Sequence, residues 1–169
     1  MIFRDITDTK FKGIEISSYH EFDHEKVYYY EDDNTGIKSL VAIHDSSKGP
    51  AIGGCRFKEY DSFEQGLNDV LRLSRGMTHK NNVAQIPFGG GKAIIFQESH
   101  KSDNLLRSYA NFLNLLEGQY ISAEDIGISL EDIRFIKKYT EFVFDNIYPG
   151  TYLSLIQISE PTRHSSIWY

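Results

Sequence analysis

Between residues 51 and 144 the sequence alternates short apolar runs with helix-length amphipathic stretches, and this alternation narrows the fold more than any other feature. Strand-like runs fall at residues 51–57 (AIGGCRF), 83–88, 93–96 (AIIF), 119–123 (QYISA) and 142–144 (FVF). Between them, apolar residues recur at helical spacing: Phe63, Leu67, Val70, Leu71, Ser74 and Met77, then Leu105, Leu106, Tyr109, Ala110, Leu113 and Leu116, then Leu130, Ile133, Ile136 and Tyr139. Each stretch opens on cap chemistry. Asp61 with Glu64, or Ser62 with Gln65, suits a capping box, Ser102 or Asp103 opens the second helix, and Ser129 opens the third. The first helix is expected to end near His79-Lys80, with Asn81-Asn82 as its stop, and Gly118 falls where a glycine follows a helix. Helices alternating with short apolar strands imply an α/β layer fold with a largely parallel sheet. Upstream, residues 26–31 (KVYYYE) and 37–44 (IKSLVAIH) flank the turn-forming DDNTG and read as a β-hairpin. The sheet is therefore expected to be mixed, in a three-layer α/β/α arrangement.

A chain of 169 residues, 40% hydrophobic and 14% aromatic, can bury one core of ordinary size. Its net charge of −6 argues against nucleic acid as a partner. The single cysteine, Cys55, leaves no disulfide framework, and the six histidines lack metal-ligand spacing. No apolar run has the ~20 residues of a membrane span, and the N-terminus lacks the apolar core of a signal peptide. The expectation is a cytoplasmic protein with no metal and no membrane partner. Residues 1–15 read as a weakly ordered lead-in, 16–150 as the folded domain and 151–169 as a non-native tail. The segment LSLIQISEPTR from residue 153 continues neither periodicity and resembles a translated sequencing adapter, so the natural frame is expected to be cut there.

The candidate chemistry lies in two lysines. Lys80 closes GMTHK at the end of the first helix, and Lys92 follows the triplet Gly89-Gly90-Gly91. Glycines let a backbone turn and approach a ligand closely, so the triplet is expected to turn Lys92 back toward Lys80. Two cations aimed at one pocket suit an anionic small molecule. The triplet is not a phosphate loop, because Ile86 stands where the motif's first glycine belongs and Ala93 follows the lysine. Nor is it a dinucleotide fingerprint, because Ile94 occupies the third glycine position. Asp125 lies just past an expected strand end, where α/β sheets place ligands.

Taken together and in this order, AIGGCR, a capped helix ending GMTHK, PFGGGK and AEDIG resemble the catalytic domain of the glutamate/leucine/phenylalanine/valine dehydrogenase family, and most of all its leucine branch. The resemblance runs from about Ile16 to Phe144. It implies NAD-dependent oxidative deamination of an amino acid to a 2-oxo acid and ammonia, by a homo-oligomer assembled through this domain. It assigns Lys80 to the substrate carboxylate, Lys92 and Asp125 to catalytic proton transfers, and the Gly53-Gly54 backbone to the segment along the substrate. Ile52, Met77 and Ala123 match an apolar wall. Without a cation at Ile52, a glutamate side-chain carboxylate would be buried unpaired, so leucine, valine or isoleucine fits better, with phenylalanine left open. The resemblance also implies that the NAD-binding Rossmann domain is missing here, so that the fragment alone is inactive. Two positions depart from the leucine pattern: Cys55 for threonine and His79 for tyrosine. A non-catalytic domain for self-association or amino-acid binding is the alternative of another class.

Overall fold

The computed structural model describes residues 1–19, 21–98 and 100–145. Its strands are β1 (Ile2–Asp5), β2 (Lys10–Phe11), β3 (Ile14–Glu15), β4 (Lys26–Asp32), β5 (Ile37–Asp45), β6 (Ala51–Lys58), β7 (Gly89–Phe96) and β8 (Tyr120–Ala123). The helices are α1 (Phe63–Val83), α2 (Asp103–Leu115) and α3 (Leu130–Ile136). Six strands form one sheet in the order β1-β4-β5-β7-β6-β8, and β2 and β3 pair separately.

The sheet is mixed, as the early hairpin implied. Its parallel share is smaller than the helix–strand alternation suggested: only β6 pairs in parallel, with β7 and with β8. The β1–β4, β4–β5 and β5–β7 pairings are antiparallel. The reason is the hairpin, which delivers β5 directly against β7. Residues 1–15 do more than lead in. Strand β1 extends the sheet edge along β4, Phe3 stacks on Tyr28 with ring centroids 5.7 Å apart, and Ile6 and Ile16 are buried.

Side chains alternate across each strand, and the alternation splits the core into two. One face carries Val27, Tyr29, Leu40, Ala42, Ile94 and Phe96 against Leu67, Val70 and Leu71 of α1. The other carries Tyr28, Tyr30, Val41, Cys55, Ala93 and Ile95 against α2 and α3. Tyr30 stacks on Phe112 at 4.9 Å, a pair type that adds about 0.5–1.5 kcal/mol beyond its buried area. The result is the expected three-layer arrangement.

The helix starts follow their caps. Ser62 accepts from the Gln65 amide, Ser102 from Leu105, and Ser129 with Asp132 forms a full capping box. The end of α1 differs from expectation. The helix runs through Asn81 and Asn82 to Val83, because the buried Asn81 side chain donates to the Gly89 carbonyl at 2.7 Å instead of terminating the helix. Residues 83–88 are accordingly not a strand: Gln85, at φ 55°, turns the chain back. Residues 142–144 form a single bridge, Ser122 to Val143, in place of a full strand. The tail from residue 151 lies outside the described residues.

The glycine triplet also differs from expectation. It does not turn; it opens β7, and none of its members is among the positive-φ glycines. Its members are small because the neighbours are close. A β-carbon on Gly89 would collide with the Asp45 carbonyl, one on Gly90 with Thr78 of α1, and one on Gly91 with the Tyr120 ring. Gly90→Ala is therefore expected to lift α1 from the sheet and cost about 1–3 kcal/mol, the range for overpacking. Urea titration checks this as a lower midpoint at unchanged slope.

Candidate active site

Strand β8 is short. It pairs with Ala51, Ile52, Gly53 and Gly54 and then stops, while β6 continues to Lys58. The chain leaving β8 at Ala123 therefore turns beside the middle of β6. Residues 125–128 close a tight turn, fixed by the Asp125–Ile128 bridge and by the Phe57 amide donating to the Ile126 carbonyl at 2.8 Å. Gly127 completes it at φ 76°, where a β-carbon would strike the Phe57 carbonyl. The turn carries Asp125 onto the α1 side of the sheet.

Lys92 comes from the middle of β7. It shares a face with Gly90, Ile94 and Phe96, the face that α1 covers, and it is 6% exposed. Its Nζ donates to Asp125 Oδ2, and the same oxygen accepts from Arg56 Nε at 2.8 Å. Gly54 makes the room: a β-carbon there would stand 2.8 Å from Asp125 Cβ and 3.3 Å from Lys92 Nζ. The β6–β7 pairs run from Ile52–Gly90 to Cys55–Ala93, with Gly53 and Gly54 unpaired between them. Instead, the Gly53 carbonyl accepts from Tyr120 Oη at 2.6 Å. The double glycine thus puts backbone without a side chain next to the ion pair.

Burial pushes the Lys92 ammonium below the usual lysine range, against the opposing pull of Asp125, and Arg56 pushes it the same way as burial. For Asp125, burial acts upward, but Lys92 and Arg56 outweigh it and hold the carboxyl below its ordinary value. A desolvated amine against an ionised carboxylate is suited to passing a proton to and from a bound molecule.

Lys80 sits half-buried in the last turn of α1, three residues beyond Met77 and so on the same side of the helix. The Met77 side chain lies 3.4 Å from where a Gly53 β-carbon would be. Both lysines therefore approach the α1 side of the sheet, near the double glycine. The device that returns Lys92 is the turn at Gln85, with β7 running back under α1, rather than the glycine triplet. Ile52 is fully buried and packs in one cluster with Met77, as the apolar wall requires. That cluster also contains Ile86, Ala84, Phe88, Ile121 and Phe144, which periodicity did not single out. Ala123 stands apart from it, paired with Gly54 across β6. Cys55 packs on the opposite, α2 face, where burial pushes its thiol up to about 12. His79 is exposed, its ring 6.4 Å from that of His44.

Sequence reading overlooked Arg56, Asp69 and Tyr60. Arg56 Nη1 reaches Asp69 Oδ2 at 3.2 Å, and Tyr60 Oη donates to the same oxygen at 2.9 Å. Local periodicity gave no signal for Asp69, which lies off the Leu67, Val70 and Leu71 stripe of α1.

The α/β domain thus holds a buried lysine–aspartate pair beside a double glycine, an arrangement able to exchange protons with a bound molecule, and comparison with known proteins assigns the family. The Glu/Leu/Phe/Val dehydrogenase dimerisation domain matches residues 24–142. The chain belongs to this family. Leucine dehydrogenase of Geobacillus stearothermophilus is 41% identical over 133 residues, 77% of this chain and 36% of that protein. Phenylalanine dehydrogenase of Caldalkalibacillus thermarum is 43% identical over 124 residues, 72% of this chain and 33% of that protein. Among solved structures, L-tryptophan dehydrogenase from Nostoc punctiforme superimposes with a TM-score of 0.69 at 45% identity, covering 72% of this chain and 36% of that one. The chain thus spans about a third of the length of these relatives. Among the described residues, no helix is long and apolar enough to cross a membrane.

Because Asp125 titrates below its ordinary value of 3.8, its contribution to stability is complete above that value and lost as pH falls through the lowered one. Asp125→Asn leaves the Lys92 charge buried without its partner. It is expected to cost about 3 kcal/mol near pH 7, with the gap to wild type closing below about pH 4. Urea titrations at the two pH values test the sign.

Proposed function

We propose that this chain is the catalytic domain of an NAD-dependent amino-acid dehydrogenase that converts a branched-chain amino acid, leucine foremost, to its 2-oxo acid and ammonia. The observation that carries the reading is the buried Lys92–Asp125 pair beside the Gly54 backbone. In this reading Lys80 fixes the substrate α-carboxylate from the end of α1. NAD, when bound, would supply the hydride acceptor. Lys92 takes a proton from the water that attacks the iminium carbon. Asp125 exchanges protons with the amine as the carbinolamine collapses. The Gly53-Gly54 backbone lies along the substrate, with Met77 over it, Ile52 behind and Ala123 at its flank.

The described residues do not fit a dinucleotide. Their one dense glycine run is strand β7, buried throughout, and not a turn opening a helix. NAD would therefore be held by a further domain of the whole enzyme, and residues 1–150 by themselves would be inactive. Homo-oligomerisation through this domain agrees with the description of the matched family domain.

A second reading has its own support. Relatives that act on phenylalanine and tryptophan are about as similar as those that act on leucine. Glutamate is disfavoured because Ile52 offers its side-chain carboxylate no cation.

The test is to express the complete reading frame and follow NADH formation with a panel of amino acids. Leucine, valine or isoleucine preferred over phenylalanine, tryptophan and glutamate supports the first reading, and an aromatic preference supports the second. Lys92→Ala is expected to lower kcat by about 10²–10⁴-fold, and unimpaired turnover would refute the mechanism. Lys80→Ala is expected to act mainly on KM, since a carboxylate held alike in ground and transition states contributes uniform binding.

A further inference from the structure

Asp125 Oδ2 accepts two donors, Lys92 Nζ and Arg56 Nε, and only one of them has been given a task. Arg56 is itself braced. Its Nη1 donates to Asp69 on α1 at 3.2 Å, and Asp69 is held in turn by Tyr60 Oη at 2.9 Å and by Arg72 Nη2 at 3.0 Å. The guanidinium therefore spans from the turn after β8 to the middle of α1, with its side chain 19% exposed. An Arg can do this because Nε and the Nη atoms donate in different directions from one rigid plane. A lysine donates from a single nitrogen, so it reaches two carboxylates only where both converge on that one point.

We infer that Arg56 is a positioning residue for the reaction: anchored by Asp69 and Tyr60, it fixes the orientation of Asp125 and places a permanent positive charge beside Lys92. The inference rests on the dehydrogenase reading above. Two consequences separate this role from a merely structural ion pair. First, Asp125 needs one orientation to meet both Lys92 and the substrate amine, so loosening it acts on turnover more than on binding. Second, a fixed cation disfavours a second charge, so Arg56 helps keep Lys92 able to accept a proton. The charged and titratable groups around Lys92 are Asp125 after β8, Arg56 and the Cys55 thiol on β6, and, on α1, Asp69 behind Arg56 and Lys80 in the last turn. Arg56 carries permanent positive charge over the assay range. Removing Arg56 raises the pH at which the Lys92–Asp125 pair, titrating as a unit, gives up its proton.

The experiment compares Arg56→Gln, Arg56→Lys and Asp69→Asn with wild type in the complete enzyme, with kcat, KM and the pH profile of kcat/KM measured for the preferred amino acid. Arg56→Gln is expected to lower kcat on the order of tenfold to a hundredfold, with KM changed less than about threefold. It should also move the acidic limb of kcat/KM upward by about one pH unit. Arg56→Lys is expected to restore the limb, because the charge returns, but not kcat, because the fork does not. Asp69→Asn should lower kcat with the limb unmoved, and it carries the test if the Arg56 variants do not fold. Wild-type kcat and limb in these variants, or lost thermal stability with both unmoved, would overturn the inference while leaving the dehydrogenase reading intact. A wild-type enzyme silent on every amino acid overturns the reading, and the inference with it.

Discussion

A lysine ammonium can leave water only if a carboxylate meets it, and in this fold that requirement ties together elements far apart in sequence. Lys92 comes from the centre of the sheet, Asp125 from a turn beyond its last strand, and Arg56 from the strand between them. The pair needs the space of a side chain at Gly54, a β8 short enough to release the chain at Ala123, and a turn locked to Phe57. Inserting a single residue into β8 would swing Asp125 to the other face of the sheet. The strand lengths are therefore as much a part of the site as its charged groups.

The glycines show the same economy of space. Five of them, in the double and the triplet, stand where a β-carbon would strike backbone, helix or ring. Glycine is usually read for its freedom at positive φ, but here it is used inside strands, where its lack of a side chain lets α1 lie close to β7 and Asp125 close to Gly54. That close approach brings Met77 over the double glycine.

Legibility followed range. The hairpin, three capped helices and their apolar stripes were readable because each depends on residues within four or five positions of one another. The end of α1 was not, because Asn81 finds its partner in the Gly89 carbonyl, across a turn that local propensity does not announce. The parallel share of the sheet was overread because alternation of helices and strands says nothing about where an upstream hairpin will dock. The candidates Lys80, Lys92, Asp125 and the double glycine came from family motifs. Arg56 stood inside one of those motifs but was given no role, since its meaning lies in two carboxylates, 13 and 69 residues away. Ile86, Phe88, Ile121 and Phe144 escaped notice because they meet Ile52 and Met77 only when four segments converge.

By itself, then, the sequence determined the layers, the helix starts and the residue types of the site, because caps and hydrophobic periodicity act over one or two turns of chain. Tertiary structure alone decided that Lys92 is returned by Gln85 and not by its glycines, that those glycines are spacers, and that Asp125 answers to two cations. The physical reason is that steric fit and charge pairing in a desolvated interior depend on distances through space, which a linear spacing does not encode.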